Sequence, residues 1–197
     1  MKSTDCEAKQ ATRSRERDRV FEARDLARGG LLGALAIALP VVFHALGPGV
    51  GPIFLPMYLP LLALGLLSSW QVALTVACLA PLLSAVLTGM PPLSPPVAPL
   101  MVCELAALAT TASRGRQYGL RVWPATVLAV VAARVAGIVA LLTIGSALGY
   151  HRTVFEYSLL SLVIAWPGLM LQLIVVPGAV HAVESSSLFR PRWQVRR

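Results

Sequence analysis

Between Gly29 and Ser113 the sequence contains a single charged residue, Glu104. Over the whole chain of 197 residues, 56% are hydrophobic and only 13% are charged, and the 15 glycines raise the apolar share further. An ordinary soluble domain is only about 45–50% apolar with glycine included. A soluble domain of this size has too little interior to keep so much apolar surface away from water. The composition therefore excludes intrinsic disorder, a nucleic-acid-binding fold and a disulfide scaffold, and indicates an integral membrane protein.

The apolar sequence divides into six segments whose lengths are near the 20 or so residues that a transmembrane helix needs. They are 29–46, 53–68, 70–89, 96–113, 122–148 and 155–183. The second is short and the last two are long. We therefore predict an all-α integral membrane protein, a bundle of six transmembrane helices with both termini on the same side of the bilayer.

The placement of the basic residues predicts the orientation of this bundle. If the N-terminus is cytoplasmic, the cytoplasmic segments hold eight, none, three and four basic residues, and the outer loops hold only Arg152. This asymmetry follows the positive-inside rule, and it predicts an N-in/C-in, multi-pass protein of the cytoplasmic (inner) cell membrane. The net charge of +8 then marks topology, and no nucleic-acid partner is expected. The predicted organisation is a charged cytoplasmic extension (1–28), a transmembrane domain (29–183) and a basic cytoplasmic tail (184–197).

Two uncharged segments rich in proline and glycine, 47–60 and 89–99, interrupt the helical pattern on the predicted outer side. Irregular backbone at membrane depth is tolerated only where protein covers it or where it lines a cavity. We expect both segments to fold back over the outer half of the bundle and close a pocket; the alternative is a pair of tight apolar turns at the interface. The candidate ligand-binding residues here are Phe54, Met57, Tyr58, Met90 and Pro91.

Two charged residues, Glu104 and Arg134, lie deep inside predicted spans. Glu104 is ten residues before Arg114, about 15 Å at 1.5 Å per residue, and Arg134 is thirteen residues after Arg121, about 20 Å. These depths agree to about one helical turn. The two side chains are expected to form an ion pair between the fourth and fifth spans, to contact a polar ligand, or to do both, since intramembrane charges are costly and often functional.

Three further residues are candidates for contact with a ligand. His44 ends the first span beside the first irregular segment, as an interfacial residue or a ligand contact. Trp166 precedes Pro167 in the sixth span, and Gln172 follows one turn beyond. A proline kink opens space between helices, where Trp166 would stack on a flat ring; the alternative is packing against lipid or the core.

A row of small residues runs along one face of the first span, at Gly30, Ala34 and Ala38. Small residues at four-residue spacing let another helix approach closely. That helix would belong either to this bundle or to a partner protein. No metal-binding spacing and no phosphate-binding loop for ATP hydrolysis is found in the sequence, so neither a metal nor a cofactor is predicted.

Taken in order, these motifs resemble the substrate-binding S components of energy-coupling factor (ECF) vitamin transporters over about residues 29–183. The elements that carry the resemblance are the run Gly51-Pro52-Ile53-Phe54-Leu55-Pro56-Met57-Tyr58-Leu59-Pro60, the pair Pro81-Leu82-Leu83-Ser84 and Leu87-Thr88-Gly89-Met90-Pro91-Pro92, the run Met101-Val102-Cys103-Glu104-Leu105, and Pro167-Gly168 with Gln172 and Pro177. This sequence has Tyr58 where many relatives have histidine, and Leu108-Ala109 where Tyr-Gly often follows the Glu-Leu pair.

The resemblance implies a six-helix bundle with an outward-facing pocket for a vitamin or related small molecule. It also implies a transmembrane coupling subunit and two cytoplasmic ATPase subunits as partners, with Gly30, Ala34 and Ala38 as the docking face for the coupling subunit. The expected function is substrate capture for an ATP-driven importer, without enzymatic activity. The alternatives are a stand-alone secondary transporter, although no internal repeat is visible, and a membrane-embedded enzyme, although no nucleophile–base pair or acid cluster is visible.

Overall fold

The computed structural model describes the backbone of residues 2–45, 47, 53–92, 97–145, 147 and 163–185, and the side chains of these residues from 23 onward except His44 and Gly145. The described residues form six helices and no strand, which confirms the predicted all-α class. The helices are α1 (Lys2–Ala45), α2 (Tyr58–Leu67), α3 (Trp70–Thr88), α4 (Val97–Gln117), α5 (Val122–Ala140) and α6 (Trp166–Ser185). A π-helical turn, Leu141–Gly145, continues α5.

Four parts of the described helices are long and apolar enough to cross a membrane. They are Ala23–Phe43 in α1, Trp70–Thr88, Val122–Ile144 and Trp166–Ser185. The predicted second span contains only α2, whose ten residues extend about 15 Å, half of a hydrocarbon core of about 30 Å. The six-span count and the N-in/C-in orientation remain predictions. The predicted outer loop that holds Arg152 and the tail beyond Ser185 lie outside the described residues.

The short helix α2 is the centre of the bundle. Eight of its ten residues are buried, and it packs against all five other helices. Its approach to α4 is close because Gly65 has no side chain. A Cβ atom at Gly65 would lie 2.5 Å from the carbonyl oxygen of Ala109 and 3.0 Å from the Cβ of Ala112. The N-terminal end of α2, at Tyr58, is consequently held inside the bundle.

Helix α1 packs on α3 through Gly29 and Gly33, which lie on a different face from the predicted row of small residues. A Cβ atom at Gly29 would lie 2.8 Å from a methyl group of Val72, and one at Gly33 would lie 2.8 Å from a methyl group of Val76. The small residues Gly30, Ala34 and Ala38 are all exposed on another face, and nothing lies within 4 Å of a Cβ at Gly30. The predicted row of small residues therefore takes no part in the close α1–α3 contact.

The turn between α2 and α3 is fixed by two charged residues of α1. The guanidinium Nη1 of Arg28 donates to the carbonyl oxygen of Leu67 at 2.8 Å, and the backbone N–H of Ser69 donates to a carboxylate oxygen of Asp25 at 3.0 Å. Asp25 and Arg28 are both buried. The last turn of the predicted extension is thus part of the bundle, and α1 passes residue 28 without a break.

The same end of the bundle holds several other polar contacts. The hydroxyl of Ser113 in α4 donates to the carbonyl oxygen of Ser68 at 2.7 Å, and Arg116 of α4 forms an ion pair with Glu184 of α6. We call this end of the molecule the arginine end. It carries Arg28, Arg114, Arg116 and Arg121.

Candidate functional site

A buried polar cluster joins α2, α4 and α5. The phenol of Tyr58 donates a hydrogen bond to Oε2 of Glu104, and Nη1 of Arg134 lies 3.4 Å from the same oxygen. The guanidinium carbon of Arg134 is 5.3 Å from the centroid of the Tyr58 ring. Glu104 is only 2% exposed. The structure thus forms the ion pair expected from residue depths, and it adds a tyrosine to the pair.

The local sequence explains how an arginine fits between these helices. Helix α5 places Ala125, Ala129, Ala133 and Gly137 toward the bundle at four-residue spacing, and all four are buried. Small residues on this face let α5 approach α4 closely. The long side chain of Arg134, next to Ala133, therefore reaches Glu104 from a helix that otherwise contributes little volume to the core.

Helical rise places Gln172 of α6 at about the depth of this cluster. The ion pair between Arg116 and Glu184 connects the last turns of α4 and α6. Glu104 is twelve residues before Arg116, and Gln172 is twelve residues before Glu184, so each lies about 18 Å from that ion pair. Helix α6 packs on α2 and α5, and Gln172 is 0% exposed. We call Tyr58, Glu104, Arg134 and Gln172 the polar layer.

The polar layer is not satisfied by its own hydrogen bonds. Within the part of the chain that the structure describes, Nε and Nη2 of Arg134 and both amide atoms of Gln172 are buried without a hydrogen-bond partner. Leaving a buried donor or acceptor unpaired costs roughly 1–3 kcal/mol, and native proteins contain few such atoms. The hydroxyl oxygen of Ser68, at the arginine end, is another such atom. Because four of them occur in two side chains at about one depth, the polar layer is the candidate binding site.

Ile53 and Phe54, in the described part of the first irregular segment, pack over the end of the bundle opposite the arginine end. The ring of Phe54 lies 5.6 Å from that of Phe43 near the end of α1. A Cβ at Gly168, near the start of α6, would lie 2.7 Å from the carbonyl oxygen of Phe54 and 2.9 Å from that of Ile53. Leu55 then adopts a φ of 49°, which is uncommon for a residue other than glycine, and the chain enters α2. The described part of this segment therefore folds back onto α6.

The remaining predicted ligand contacts lie away from the polar layer or outside the described side chains. Met57 is buried in the core. Met90 is 43% exposed, and its carbonyl oxygen accepts hydrogen bonds from hydroxyl groups of its own neighbouring helix, α3. Pro91 is half-buried, Trp166 is 60% exposed, and the side chain of His44 lies outside the described residues. Their roles in ligand binding remain predictions.

Comparison with other proteins does not assign a family or a function to the chain. No protein-family model matches the chain, and no curated protein or solved structure matches it. Among the described residues, no group of three or more His, Cys, Asp or Glu side chains is arranged to hold a metal ion.

Proposed function

We propose that this protein is the membrane-embedded substrate-binding subunit of an ATP-driven importer of the ECF type. It captures a vitamin or related small molecule in an outward-facing pocket of the cytoplasmic membrane. It then delivers the molecule by docking to a transmembrane coupling subunit that works with two cytoplasmic ATPase subunits. The observation that carries this proposal is the polar layer, in which four buried atoms have no hydrogen-bond partner within the described ranges of the chain.

The depth of the polar layer favours a binding role over a purely structural one. Charged side chains in the middle of a membrane protein are expensive, and they commonly mark substrate or ion pathways. A structural ion pair needs only Glu104 and Arg134. Neither the unpaired edge of Arg134 nor the unpaired amide of Gln172 stabilises the bundle, because each loses its hydrogen bonds to water without a replacement. A ligand with complementary groups supplies those bonds.

The segment at Ile53 and Phe54 supports an outward-facing pocket. It lies over the end of the bundle opposite the arginine end and presses against α6 at Gly168. Since basic residues favour the cytoplasmic side, the opposite end is the outer one. A ligand that enters from outside would pass this segment on its way to the polar layer.

The exposed small-residue face of α1 supports docking to a coupling subunit. Gly30, Ala34 and Ala38 are exposed, and close packing on α3 uses Gly29 and Gly33 instead. The face is therefore free for a helix of another subunit, and small residues are what allows close helix contact within a bilayer.

The proposal is tested by expressing the full chain with its host's ECF coupling module, solubilising it in detergent and purifying it by a tag. Mass spectrometry of the purified sample should find a small molecule and the coupling subunit. A sample that contains neither refutes the proposal. Uptake that continues in cells without the ATPases, and stops with a protonophore, indicates the secondary transporter. Product formation that is lost in Glu104→Gln indicates an enzyme.

A further inference from the structure

The unpaired edge of Arg134 defines the hydrogen-bonding pattern of a ligand. Its Nη1 is used by Glu104, and the two nitrogens that have no partner among the described residues are Nε and Nη2. Their N–H groups lie side by side on one edge of the planar guanidinium, in a fixed fork. This edge takes two neighbouring acceptor atoms at once, and a single carbonyl oxygen would leave one donor unpaired.

Gln172 presents a different pattern. Its side-chain amide has one acceptor oxygen and one donor nitrogen, both unpaired among the described residues, in a side chain that is 0% exposed. An amide of this kind pairs with an edge that carries a donor next to an acceptor. The ligand therefore needs two kinds of edge: one with two acceptors, and one with a donor and an acceptor.

The charge of the polar layer restricts the ligand further. Glu104 and Arg134 contribute one negative and one positive charge, and Nη1 of Arg134 is 3.4 Å from Oε2 of Glu104. A carboxylate on Arg134 would supply two acceptors but would leave a net negative charge in the middle of the bundle. An uncompensated buried charge is strongly unfavourable. An uncharged molecule with two adjacent acceptors pairs with Arg134 without this penalty.

We propose that the polar layer binds an uncharged lactam heterocycle, a ring in which a nitrogen acceptor stands next to an exocyclic carbonyl. Arg134 donates to this acceptor pair, in the way that arginine recognises the ring nitrogen and carbonyl of guanine. Gln172 pairs with a donor–acceptor edge of the same ring, as glutamine does with adenine. This inference rests on the proposed function because it names the ligand class of the same site.

Binding of chosen probes to the full chain in detergent, measured by isothermal titration calorimetry, tests the ligand class. The probes are hypoxanthine, cytosine and riboflavin, which are uncharged and carry the acceptor pair. Each has a matched analogue in which C–H replaces the ring nitrogen of the acceptor pair while the lactam carbonyl and N–H are kept. These are 7-deazahypoxanthine, 3-deazacytosine and, because riboflavin has two such nitrogens, 1,5-dideazariboflavin. Nicotinate serves as the carboxylate. We expect at least one lactam to bind about tenfold or more tightly than its analogue, the discrimination given by a good bidentate pair. We expect nicotinate to be weaker than that lactam.

Two variants connect this selectivity to the named side chains. Arg134→Lys keeps a positive charge near Glu104 but removes the fork, so it should abolish the preference for the lactam over its analogue. Gln172→Leu keeps the volume but removes both polar atoms, so it should weaken lactam binding about tenfold. Arg121→Lys, at the exposed start of α5, is the matched control and should bind like the wild type. The elution volume of each variant in size-exclusion chromatography verifies its fold.

The outcomes separate the ligand class from the transport role. If none of the three lactams binds, if nicotinate binds most tightly, or if Arg134→Lys keeps full selectivity, the ligand class is refuted. Lactam binding by a protein that never captures a coupling subunit refutes the importer but retains the ligand class. A carboxylated molecule recovered together with the coupling subunit retains the importer and refutes the ligand class.

Discussion

Substitution of Gly65 by alanine tests whether α2 is held against α4 as closely as the structure requires. The added Cβ would lie 2.5 Å from the carbonyl oxygen of Ala109, whereas an ordinary contact begins at 3.4 Å. The shortfall is therefore about 0.9 Å. The other close atoms are the Cα of Ala109 and the Cβ of Ala112, each at 3.0 Å. None of these atoms belongs to a side chain that can rotate away, so the helices themselves must separate.

The size of the effect follows from this separation. Overpacking a well-packed core costs typically 1–3 kcal/mol. In a chain of 150–250 residues, 1 kcal/mol lowers the melting temperature by about 2–4 °C. We therefore expect Gly65→Ala to melt about 2–12 °C below the Gly30→Ala variant, which has the same gain in helix propensity. Tyr58 lies two turns away on the same helix, and its hydrogen bond to Glu104 should weaken as α2 moves.

The assay is thermal unfolding of the detergent-solubilised protein, followed by circular dichroism at a helix band. Gly30→Ala is the matched control because nothing lies within 4 Å of its added carbon. Alanine also favours a helix over glycine by about 1 kcal/mol, so this control should melt at or above the wild-type temperature. If Gly65→Ala melts with or above Gly30→Ala, the close α2–α4 contact is wrong.

The other predictions concern the ion pair of Glu104, the arginine end, the contact at Gly168 and the docking face. Glu104→Gln removes the negative charge that balances Arg134 and should lower the free energy of unfolding by about 3–5 kcal/mol. Thermal unfolding measures this loss, and an unchanged midpoint would contradict the ion pair. Arg28→Met removes the hydrogen bond to the end of α2 and should lower the free energy of unfolding by about 1–3 kcal/mol in the same assay. A neutral effect would mean that this hydrogen bond does not stabilise the bundle. Gly168→Ala should displace Ile53 and Phe54 and weaken ligand binding, whereas Gly178→Ala, with open space around its added carbon, should bind normally. Equal binding by the two variants excludes a role for the contact at Gly168. Ala34→Phe should prevent capture of the coupling subunit at an unchanged melting temperature, and continued capture would show that docking uses another face.

Some of the site could be predicted from the sequence because helical rise converts residue number into depth. Glu104 and Arg134 are separated from flanking arginines by ten and thirteen residues, and that arithmetic is enough to expect a pair between neighbouring helices. The participation of Tyr58 required the structure. Its position depends on α2 beginning at mid-depth, after an irregular segment whose path is set by tertiary contacts.

The packing of α1 shows where the sequence was ambiguous. Two rows of small residues overlap on this helix, one at Gly29 and Gly33 and the other at Gly30, Ala34 and Ala38. The rows are related by a rotation of one residue, about 100° around the helix. Residue size alone does not decide which row meets α3. The decision comes from shape complementarity with Val72 and Val76, which composition does not encode.

The hydrogen bonds of Asp25 and Arg28 to the turn between α2 and α3 could not be predicted from the sequence, for a different reason. Asp25 and Arg28 belong to a stretch of dense mixed charge, which is typical of a solvated helix. Their burial depends on the backbone groups of a turn some forty residues later in the chain. A contact of this kind has no periodic signature. The length of α2 was also obscured, because its apolar sequence continues into the residues before it.

Whether the polar layer binds a ligand is tested by comparing the small molecules that copurify with two forms of the protein. Wild type and Gln172→Leu are purified in parallel from the same host in rich medium, denatured, and the released compounds quantified by mass spectrometry against protein amount. If the polar layer binds a ligand, the wild type should release one compound near a one-to-one ratio and the variant at least about tenfold less. Equal amounts in both samples, or no bound compound in the wild type, would contradict the claim that the polar layer is a ligand-binding site.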